Sequence, residues 1–173
     1  MANELLVATF TLRVTISAST QRVWQVLTQE SAAWWPKDFC TSSRTQRFVI
    51  EPMIGGRVFE DFGGGDGLQW YSVVGVEAGK ELVLAGHLLP PFGGPAITAL
   101  RLNLVAAPSG GTVWEIRDDR FGAIGTESPI DGWHLVFDGG LRRYIESQAG
   151  TPESFVCIRL PDGDVVDAAR RRK

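Results

Sequence analysis

The middle of this sequence is a series of strand-like segments separated by short turns that contain glycine or proline. Apolar and polar residues alternate within the segments, as in Leu100, Arg101 and Leu102, and a period of two is typical of a half-buried β-strand. Successive strands joined by short turns pair antiparallel. The pattern therefore predicts an antiparallel meander of six strands, in residues 48–50, 57–62, 68–77, 81–87, 97–107 and 112–120.

The segment that precedes this meander predicts one more strand and two short helices. Residues 9–17 alternate in the same way and are followed by Ser19, a suitable N-cap for a helix over residues 20–28. A second helical turn, residues 31–35, ends before Pro36.

The longest predicted helix follows the meander. It begins at Ser128 and Pro129, a capping residue and a proline suited to the first helical position, and continues to about Ser147. Gly139 and Gly140 lie inside it although each costs about 1 kcal/mol relative to alanine, so we expect another backbone to approach the helix there. Apolar spacings of three and four predict a buried face formed by Ile130, Trp133, Phe137, Leu141 and Tyr144.

The order of these elements predicts an α+β fold. We expect a curved antiparallel sheet of about six or seven strands, wrapped around the long C-terminal helix, with two short helices after the first strand. A single helix does not fill all the space against a curved sheet, so a cavity is expected between them, and cavities of this kind are natural ligand sites. The proline-rich loop 88–96 is the expected gate of this cavity.

Composition excludes several classes of protein. No apolar run approaches the ~18 residues of a membrane helix, and the first ten residues lack the basic region of a secretory signal. A net charge of -3 provides no electrostatic footprint for nucleic acid. We therefore expect a cytoplasmic protein with no membrane span and no nucleic-acid partner. Its oligomeric state, including a homodimer, stays open.

The sequence offers little for metal or nucleophile chemistry. No two of its histidines and cysteines (His87, His134, Cys40 and Cys157) lie at the spacing of metal ligands. It contains neither a G-x-S-x-G motif nor a P-loop, and the glycine-rich segment 63–67 joins two strands without opening a helix. We therefore predict no metal site and no cofactor.

Six phrases occur in order along residues 9–145: 16–24 (ISASTQRVW), 34–36 (WWP), 51–60 (EPMIGGRVFE), 68–73 (LQWYSV), 111–112 (GT) and 132–133 (GW). In this order they resemble the START-like, or helix-grip, superfamily, which includes polyketide cyclases and pollen-allergen-like proteins. The branch that looks nearest is that of the bacterial proteins named after the activator of the ninety-kilodalton heat-shock protein's ATPase. The resemblance implies a deep, largely apolar cavity between the sheet and the C-terminal helix. It implies no definite ligand, because members include lipid carriers, cyclases and hydrolases.

The chain departs from the family pattern in two places. The last strand has Ile116-Arg-Asp118 where many relatives carry a histidine, so any role of that histidine is absent or altered here. Residues 1–150 are predicted to form a single helix-grip domain. Residues 151–173 are interpreted as a C-terminal extension that the family pattern does not explain.

Two carboxylates within predicted strands are candidates for chemistry in the cavity. Glu60 lies in the second strand of the meander, and Asp118 and Arg120 share the strand face of Trp114. Because Trp114 should be buried, the same parity directs Asp118 toward the cavity. A buried carboxylate needs a partner or changes its pKa, which suits ligand orientation or acid–base catalysis. A salt bridge at the end of the sheet is the alternative.

Aromatic residues complete the predicted site, since tryptophan offers a flat apolar wall with one hydrogen-bond donor. For Trp34, Trp35 and Trp70, core packing and pocket lining stay equally open. The predicted ligand-binding residues are Trp35, Phe59, Glu60, Trp70, Tyr71, His87, Trp114, Asp118, Arg120, Trp133 and Phe137.

Three hypotheses of function follow. The first is a protein that binds a small hydrophobic or aromatic ligand in the cavity. The second is an enzyme of cyclase, dehydratase or hydrolase type in the same cavity, with Glu60 and Asp118 as its acid–base pair, so whether the protein is an enzyme stays open. The third is a chaperone-associated stress protein. It rests on the branch name and ranks last, because short bacterial members lack the second domain that the name describes.

Overall fold

A computed structural model describes residues 5–108, 110–124 and 128–149. One antiparallel sheet of seven strands and a C-terminal helix confirm the predicted α+β class. The predicted extension, residues 151–173, lies outside the described residues. The strands are β1 (Leu6–Ile16), β2 (Arg47–Ile50), β3 (Arg57–Gly63), β4 (Asp66–Glu77), β5 (Glu81–Leu88), β6 (Ala96–Ala106) and β7 (Thr112–Gly122).

The strand order across the sheet is β1-β7-β6-β5-β4-β3-β2. From β2 to β7 each strand pairs with the next one in the chain, which is the predicted meander. β1 pairs with β7 instead, so residues 17–46 carry the chain from one edge of the sheet to the other. This connection contains the two predicted short helices, α1 (Thr20–Gln29) and α2 (Ser31–Trp34), followed by a 3-10 turn (Lys37–Phe39).

Strand alternation buries one face of the sheet. On β6, Leu100 and Leu102 are buried while Arg101 between them is exposed. On β7, Trp114 and Ile116 are buried in the same way. Each such side chain removed from water contributes roughly 1.5–3 kcal/mol, so the alternation sets which face of the sheet turns inward.

The C-terminal helix, α3, packs against this buried face, where Phe137 contacts Trp114 with ring centroids 4.6 Å apart. It consists of three successive segments, Ile130–Trp133, His134–Arg142 and Arg143–Gln148, and the middle segment is wound as a π helix. Ser128 Oγ accepts a hydrogen bond from the Ile130 amide at 3.3 Å.

The π winding changes which residues of α3 are buried. Phe137, Leu141 and Ile145 recur every four residues and are all buried. Ile130, Trp133 and Tyr144, which the spacing predicted to be buried, are half-buried. A π helix closes i→i+5 hydrogen bonds and has more residues per turn than an α-helix. A count at 3.6 residues per turn therefore misplaces the end of the buried face.

The two glycines of α3 differ in their surroundings. A Cβ on Gly140 would lie 2.8 Å from the Trp34 carbonyl oxygen, so the backbones of α2 and α3 approach each other there as predicted. A Cβ on Gly139 would make only an ordinary contact, 3.8 Å from the His134 carbonyl oxygen of the same helix.

Candidate functional site

A cavity of about 640 Å³ lies between the end of the sheet, the segment after α2 and the first turn of α3. This volume falls within the range of about 300–1,000 Å³ that small-molecule sites occupy. Half of the lining residues are aromatic, and Arg120 is the one charged residue among those that the structure describes there. The lining consists of Trp35, Phe39, Phe48, Trp70, Tyr71, Leu88, Pro91, Phe92, Gly93, Arg120, Ser128, Pro129, Gly132 and Trp133.

Aromatic pairs hold the cavity walls in place. Trp35 stacks on Phe48 with ring centroids 3.6 Å apart and planes 5° from parallel. Trp133 stacks on the buried Phe137 at 5.3 Å. On the loop side, Phe92 meets Trp70 at 4.9 Å. Rings fixed in this way present flat apolar surfaces, which suits a planar or aliphatic ligand.

The carboxylate of Asp118 lies buried behind this lining and has four hydrogen-bond donors. Its Oδ1 accepts from Thr98 Oγ1 at 2.6 Å. Its Oδ2 accepts from Nε and Nη2 of Arg120, at 2.9 and 2.6 Å, and from the Trp133 indole at 3.0 Å. The carboxylate thus connects β6, β7 and α3. It also compensates the charge of Arg120, as buried ions require.

The phenol of Tyr71 is a second polar group on the cavity wall. Burial raises the pKa of Tyr71 and the nearby negative charge of Asp118 raises it further, while a hydrogen bond with Thr98 acts in the opposite direction. The phenol therefore stays protonated at neutral pH and can act as a hydrogen-bond donor.

The carboxylate of Glu60 is fully buried and is also held by four donors. Its Oε2 accepts from the Thr41 amide at 2.9 Å, from Thr41 Oγ1 at 3.1 Å and from Thr45 Oγ1 at 2.6 Å. Its Oε1 accepts from the Trp70 indole at 3.0 Å. Glu60 therefore fixes the orientation of a cavity-lining ring and attaches the loop before β2 to β3.

Two buried indole nitrogens, Trp35 Nε1 and Trp114 Nε1, have no hydrogen-bond partner among the described residues. Buried polar atoms are paired in the great majority of cases. Trp35 lines the cavity, whereas Trp114 is completely buried in the core beside Phe137.

The structure sorts the predicted site residues into three groups. Five line the cavity: Trp35, Trp70, Tyr71, Arg120 and Trp133. Four lie directly behind that lining or in the adjoining core: Glu60, Trp114, Asp118 and Phe137.

The remaining two, Phe59 and His87, lie away from the cavity. His87 is exposed between the buried Gly86 and Leu88, so strand parity directs it to the outer face. The ring of Phe59 packs under the Arg57 guanidinium at 4.4 Å. On each strand the two flanking residues are buried, so alternation directs the side chains of Phe59 and His87 to the outer face.

Several lining residues were not predicted. Phe48 alternates inward on β2, a signal that strand parity contains. Ser128 and Pro129 carried the helix-start signal, and Gly132 belongs to the phrase 132–133 of the resemblance. They line the site because the start of α3 lies over the cavity. Pro91, Phe92 and Gly93 belong to the predicted gating loop, and Leu88 begins it. Phe39 follows α2 with no periodic signal of its own.

The described residues hold no group of three or more histidine, cysteine, aspartate or glutamate side chains that could bind a metal ion. Burial raises the pKa of the Cys40 thiol, and the charge of Glu60 raises it further, so this cysteine is a neutral thiol rather than a nucleophilic thiolate. Within the same part of the chain, no helix is both long and apolar enough to cross a membrane.

No protein-family model and no curated protein sequence matches the chain. Solved structures do match it. An uncharacterized protein from Rhizobium leguminosarum has a TM-score of 0.62 at 14% identity, over 83% of this chain and 97% of that one. An AHSA1-like protein from Aeromonas hydrophila has a TM-score of 0.57 at 20% identity, over 85% of this chain and 97% of that one.

A third structure, DynU16 from the dynemicin biosynthetic locus, has a TM-score of 0.55 at 22% identity, over 80% of this chain and 47% of that one. Identities this low establish a shared fold and leave function open. The seven-stranded sheet, the C-terminal helix and these structural matches agree with the resemblance noted in the sequence. The chain therefore shares its fold with these structures, among them the AHSA1-like protein.

Proposed function

We propose that this protein binds a small apolar or aromatic molecule in the cavity between the sheet and α3. The observation that carries this proposal is a cavity of about 640 Å³ in which half of the lining residues are aromatic, most of them paired with a second ring. Burial of apolar ligand surface supplies the binding free energy, at about 25 cal/mol per Å². Prepacked rings lose little conformational entropy when the ligand arrives.

The polar groups of the cavity favour an uncharged ligand with one hydrogen-bond acceptor. The charge of Arg120 is already compensated by Asp118, so a ligand anion would gain little there. Tyr71 stays protonated and is placed to donate a hydrogen bond to a carbonyl or hydroxyl oxygen. In this proposal Tyr71 orients the ligand directly. Asp118 acts through Arg120 and Trp133, and Glu60 through Trp70, because these carboxylates hold the lining side chains in place.

The test is a titration with N-phenyl-1-naphthylamine, a neutral aromatic probe, followed by tryptophan emission. We expect a saturable change with one probe per chain. Phe92→Leu removes an aromatic contact from the cavity wall, so the probe should bind roughly 3- to 10-fold more weakly, equivalent to the ~0.5–1.5 kcal/mol of an aromatic pair.

Phe121→Leu is the matched control, because Phe121 is 52% exposed and lies outside the cavity lining. Its probe affinity should equal that of the wild type. A linear, unsaturable emission change, or equal weakening by both variants, would contradict the proposal.

The second candidate, an enzyme of cyclase, dehydratase or hydrolase type, is favoured by one observation. A protonated phenol, Tyr71, stands on the cavity wall beside the buried Asp118. Against acid–base use of Asp118 and Glu60, each carboxylate already accepts four hydrogen bonds within the protein. For an enzyme, Tyr71→Phe should abolish turnover of a cavity-bound carbonyl compound while its affinity falls only slightly. A binding protein would show no turnover before or after the substitution.

A chaperone-associated role is the third hypothesis. The AHSA1-like structure from Aeromonas hydrophila supports it through its name and its fold alone, at 20% identity. Capture of the chain by the ninety-kilodalton heat-shock protein in a pull-down would be required before it displaced the first proposal.

A further inference from the structure

Four residues of the inner sheet face form one row across β4, β5, β6 and β7. Tyr71 pairs with Gly86. Gly86 pairs in turn with Thr98, and Thr98 with Arg120. A Cβ on Gly86 would lie 2.7 Å from Cδ1 of Tyr71 and 3.1 Å from its Cε1, so the phenol ring covers the glycine and leans along the row. Tyr71 and Arg120 both line the cavity, and the corner that they form is named the donor corner.

The guanidinium of Arg120 keeps donors available in the donor corner. Its Nε and Nη2 donate to Asp118 Oδ2, at 2.9 and 2.6 Å. A guanidinium has five N–H groups, and Nη1 forms no hydrogen bond with any residue that the structure describes. The group also lies over the ring of Phe10, with Cζ 5.5 Å from the ring centroid. Arg120 is therefore fixed in place and still able to donate to a ligand.

The hydroxyl of Tyr71 is the second donor of this corner. Burial, and after it the charge of Asp118, raise the pKa of Tyr71, so the phenol keeps its proton. The hydrogen bond with Thr98 lowers that pKa, and a hydrogen bond acts in this direction when the phenol oxygen accepts it. Asp118 Oδ1 accepts from the same Thr98 hydroxyl at 2.6 Å, which makes Thr98 a donor on both sides. The phenol proton is left for a ligand.

The acceptors around the donor corner are already in use. Asp118, directly behind it, accepts four hydrogen bonds, which is about the capacity of a carboxylate. The phenol oxygen of Tyr71 accepts from Thr98. A ligand hydroxyl would therefore leave its proton without a partner, and an unpaired buried donor is unfavourable. A carbonyl oxygen has two lone pairs and no proton, so it matches two donors.

We propose that the donor corner binds the carbonyl oxygen of an aromatic ketone or aldehyde, with the Tyr71 hydroxyl and Arg120 Nη1 as its two donors. The aromatic part of the ligand lies against the ring-lined walls of the cavity. This inference rests on the proposed function, because it names the class of ligand that the cavity takes.

The test compares three ligands that share a naphthalene ring and differ in one group. They are the ketone 2-acetylnaphthalene, the hydrocarbon 2-isopropenylnaphthalene, in which CH₂ replaces the oxygen, and the alcohol 1-(2-naphthyl)ethanol. Each competes with N-phenyl-1-naphthylamine for the cavity of the full-length protein. We expect the ketone to bind at least about threefold more tightly than the alcohol, whose proton finds no acceptor. Equal or tighter binding of the alcohol would overturn the assignment of a carbonyl.

Tyr71→Phe keeps the ring over Gly86 and removes one donor. The ratio of ketone affinity to hydrocarbon affinity should fall about 3- to 10-fold, and comparing two ligands in two proteins cancels the difference in their hydration. Tyr144→Phe is the matched control, because it removes the other tyrosine hydroxyl of the chain, which donates to Glu30 outside the cavity lining. Its ratio should equal that of the wild type. An unchanged ratio in Tyr71→Phe, or equal falls in both variants, would contradict the proposal.

The carbonyl stretch of bound, ¹³C-labelled 2-acetylnaphthalene is a readout that a merely structural role would not move. Each hydrogen bond weakens the C=O bond, so the frequency should be lower in the wild type than in Tyr71→Phe. Arg120→Lys keeps a positive charge beside Asp118 and loses Nη1, so it should raise the frequency as well. Tyr71→Phe introduces no unpaired charge and decides the matter if the lysine variant is unstable. The same frequency in the wild type and in Tyr71→Phe would overturn the proposal.

The affinity of N-phenyl-1-naphthylamine, which has no carbonyl group, is measured on every variant and reports whether the cavity is intact. No binding of this probe to the wild type would contradict the proposed function itself. If the probe binds while ketone and hydrocarbon respond alike to Tyr71→Phe, the proposed function stands and the carbonyl assignment fails.

Discussion

At the level of single residues, Asp118 and Arg120 contribute most to the architecture of the site. Asp118 is 1% exposed and the Arg120 side chain 11%, so each charge depends on the other for compensation. Strand parity predicted that Asp118 points inward. The remaining donors, Thr98 from β6 and the Trp133 indole from α3, come from elements that are distant in sequence, and local pattern carries no information about them.

Removing this carboxylate should destabilise the protein strongly. Asp118→Ala leaves the Arg120 charge buried without its partner, and loss of one member of a buried ion pair costs about 3–5 kcal/mol. The neighbouring Asp119→Ala is the control, because its ion pair with Arg117 is exposed on the outer face and such pairs contribute little. Urea unfolding measures both, and comparable losses for the two variants would contradict this account of Asp118.

Glu60 illustrates a second limit at this scale. Alternation along β3 puts Glu60 on the same buried face as Val58. Its donors Thr41 and Thr45 could not be predicted, because they lie in a loop without periodicity. Four neutral donors make burial of the carboxylate tolerable, since buried charges require hydrogen bonds when no counter-ion is present. What the structure adds is the link from Glu60 to Trp70, and through it to the cavity wall.

At the level of elements, α3 has a winding that its sequence pattern did not predict. Its existence and direction follow from the helix-start residues and the apolar spacing. Its π segment contains the buried Phe137 and Leu141 and also Gly140, which lies close to the α2 backbone. π segments are often found at functional sites, and this one follows directly after the cavity-lining turn.

The two glycines of α3 should respond in opposite ways to alanine. In Gly140→Ala the new Cβ lies 2.8 Å from the Trp34 carbonyl oxygen, so α2 or α3 must shift, at a cost of about 1–3 kcal/mol. In Gly139→Ala the Cβ meets only ordinary contact, and helix propensity favours the variant by up to about 1 kcal/mol. Thermal unfolding of the two variants measures the difference, and equal destabilisation would show that the close approach is not what requires glycine.

At the level of the whole molecule, one polar cluster connects the beginning of the chain to its C-terminal helix. Glu30, after α1, accepts hydrogen bonds from Arg22 and from the Tyr144 hydroxyl of α3 at 2.9 Å. Arg22 also donates to Gln148 at 2.6 Å. The cluster holds α1 and the last turn of α3 together across more than 100 residues of sequence.

This cluster should make stability depend on pH on the acid side. The hydrogen bond from Arg22 lowers the pKa of Glu30, assisted by that from Tyr144 and opposed by burial. A carboxylate with a lowered folded-state pKa stabilises the protein above its unfolded pKa of about 4.3, and this contribution is lost as the pH falls through the folded-state value.

Glu30→Gln should therefore be less stable than the wild type at pH 7. The expected loss is about 0.5–1 kcal/mol, because the ion pair between Arg22 and Glu30 is partly exposed to solvent. The difference between the two proteins should shrink toward pH 3, where the wild-type carboxyl is protonated as well. Urea midpoints at the two pH values test this, and a difference that stays constant would exclude Glu30 as the titrating group.

Local pattern was sufficient to predict the secondary-structure elements of this protein. Alternation over the meander and helical spacing after Ser128 reflect neighbours within a few residues, which is why the strands, the two short helices and the C-terminal helix could all be predicted. The cavity depends on contacts that local pattern does not encode. The stacking of Trp35 on Phe48 and the donors around Asp118 and Glu60 arise from packing between different elements. Period-two alternation specifies a face of a strand, whereas a binding site requires the relative placement of several elements.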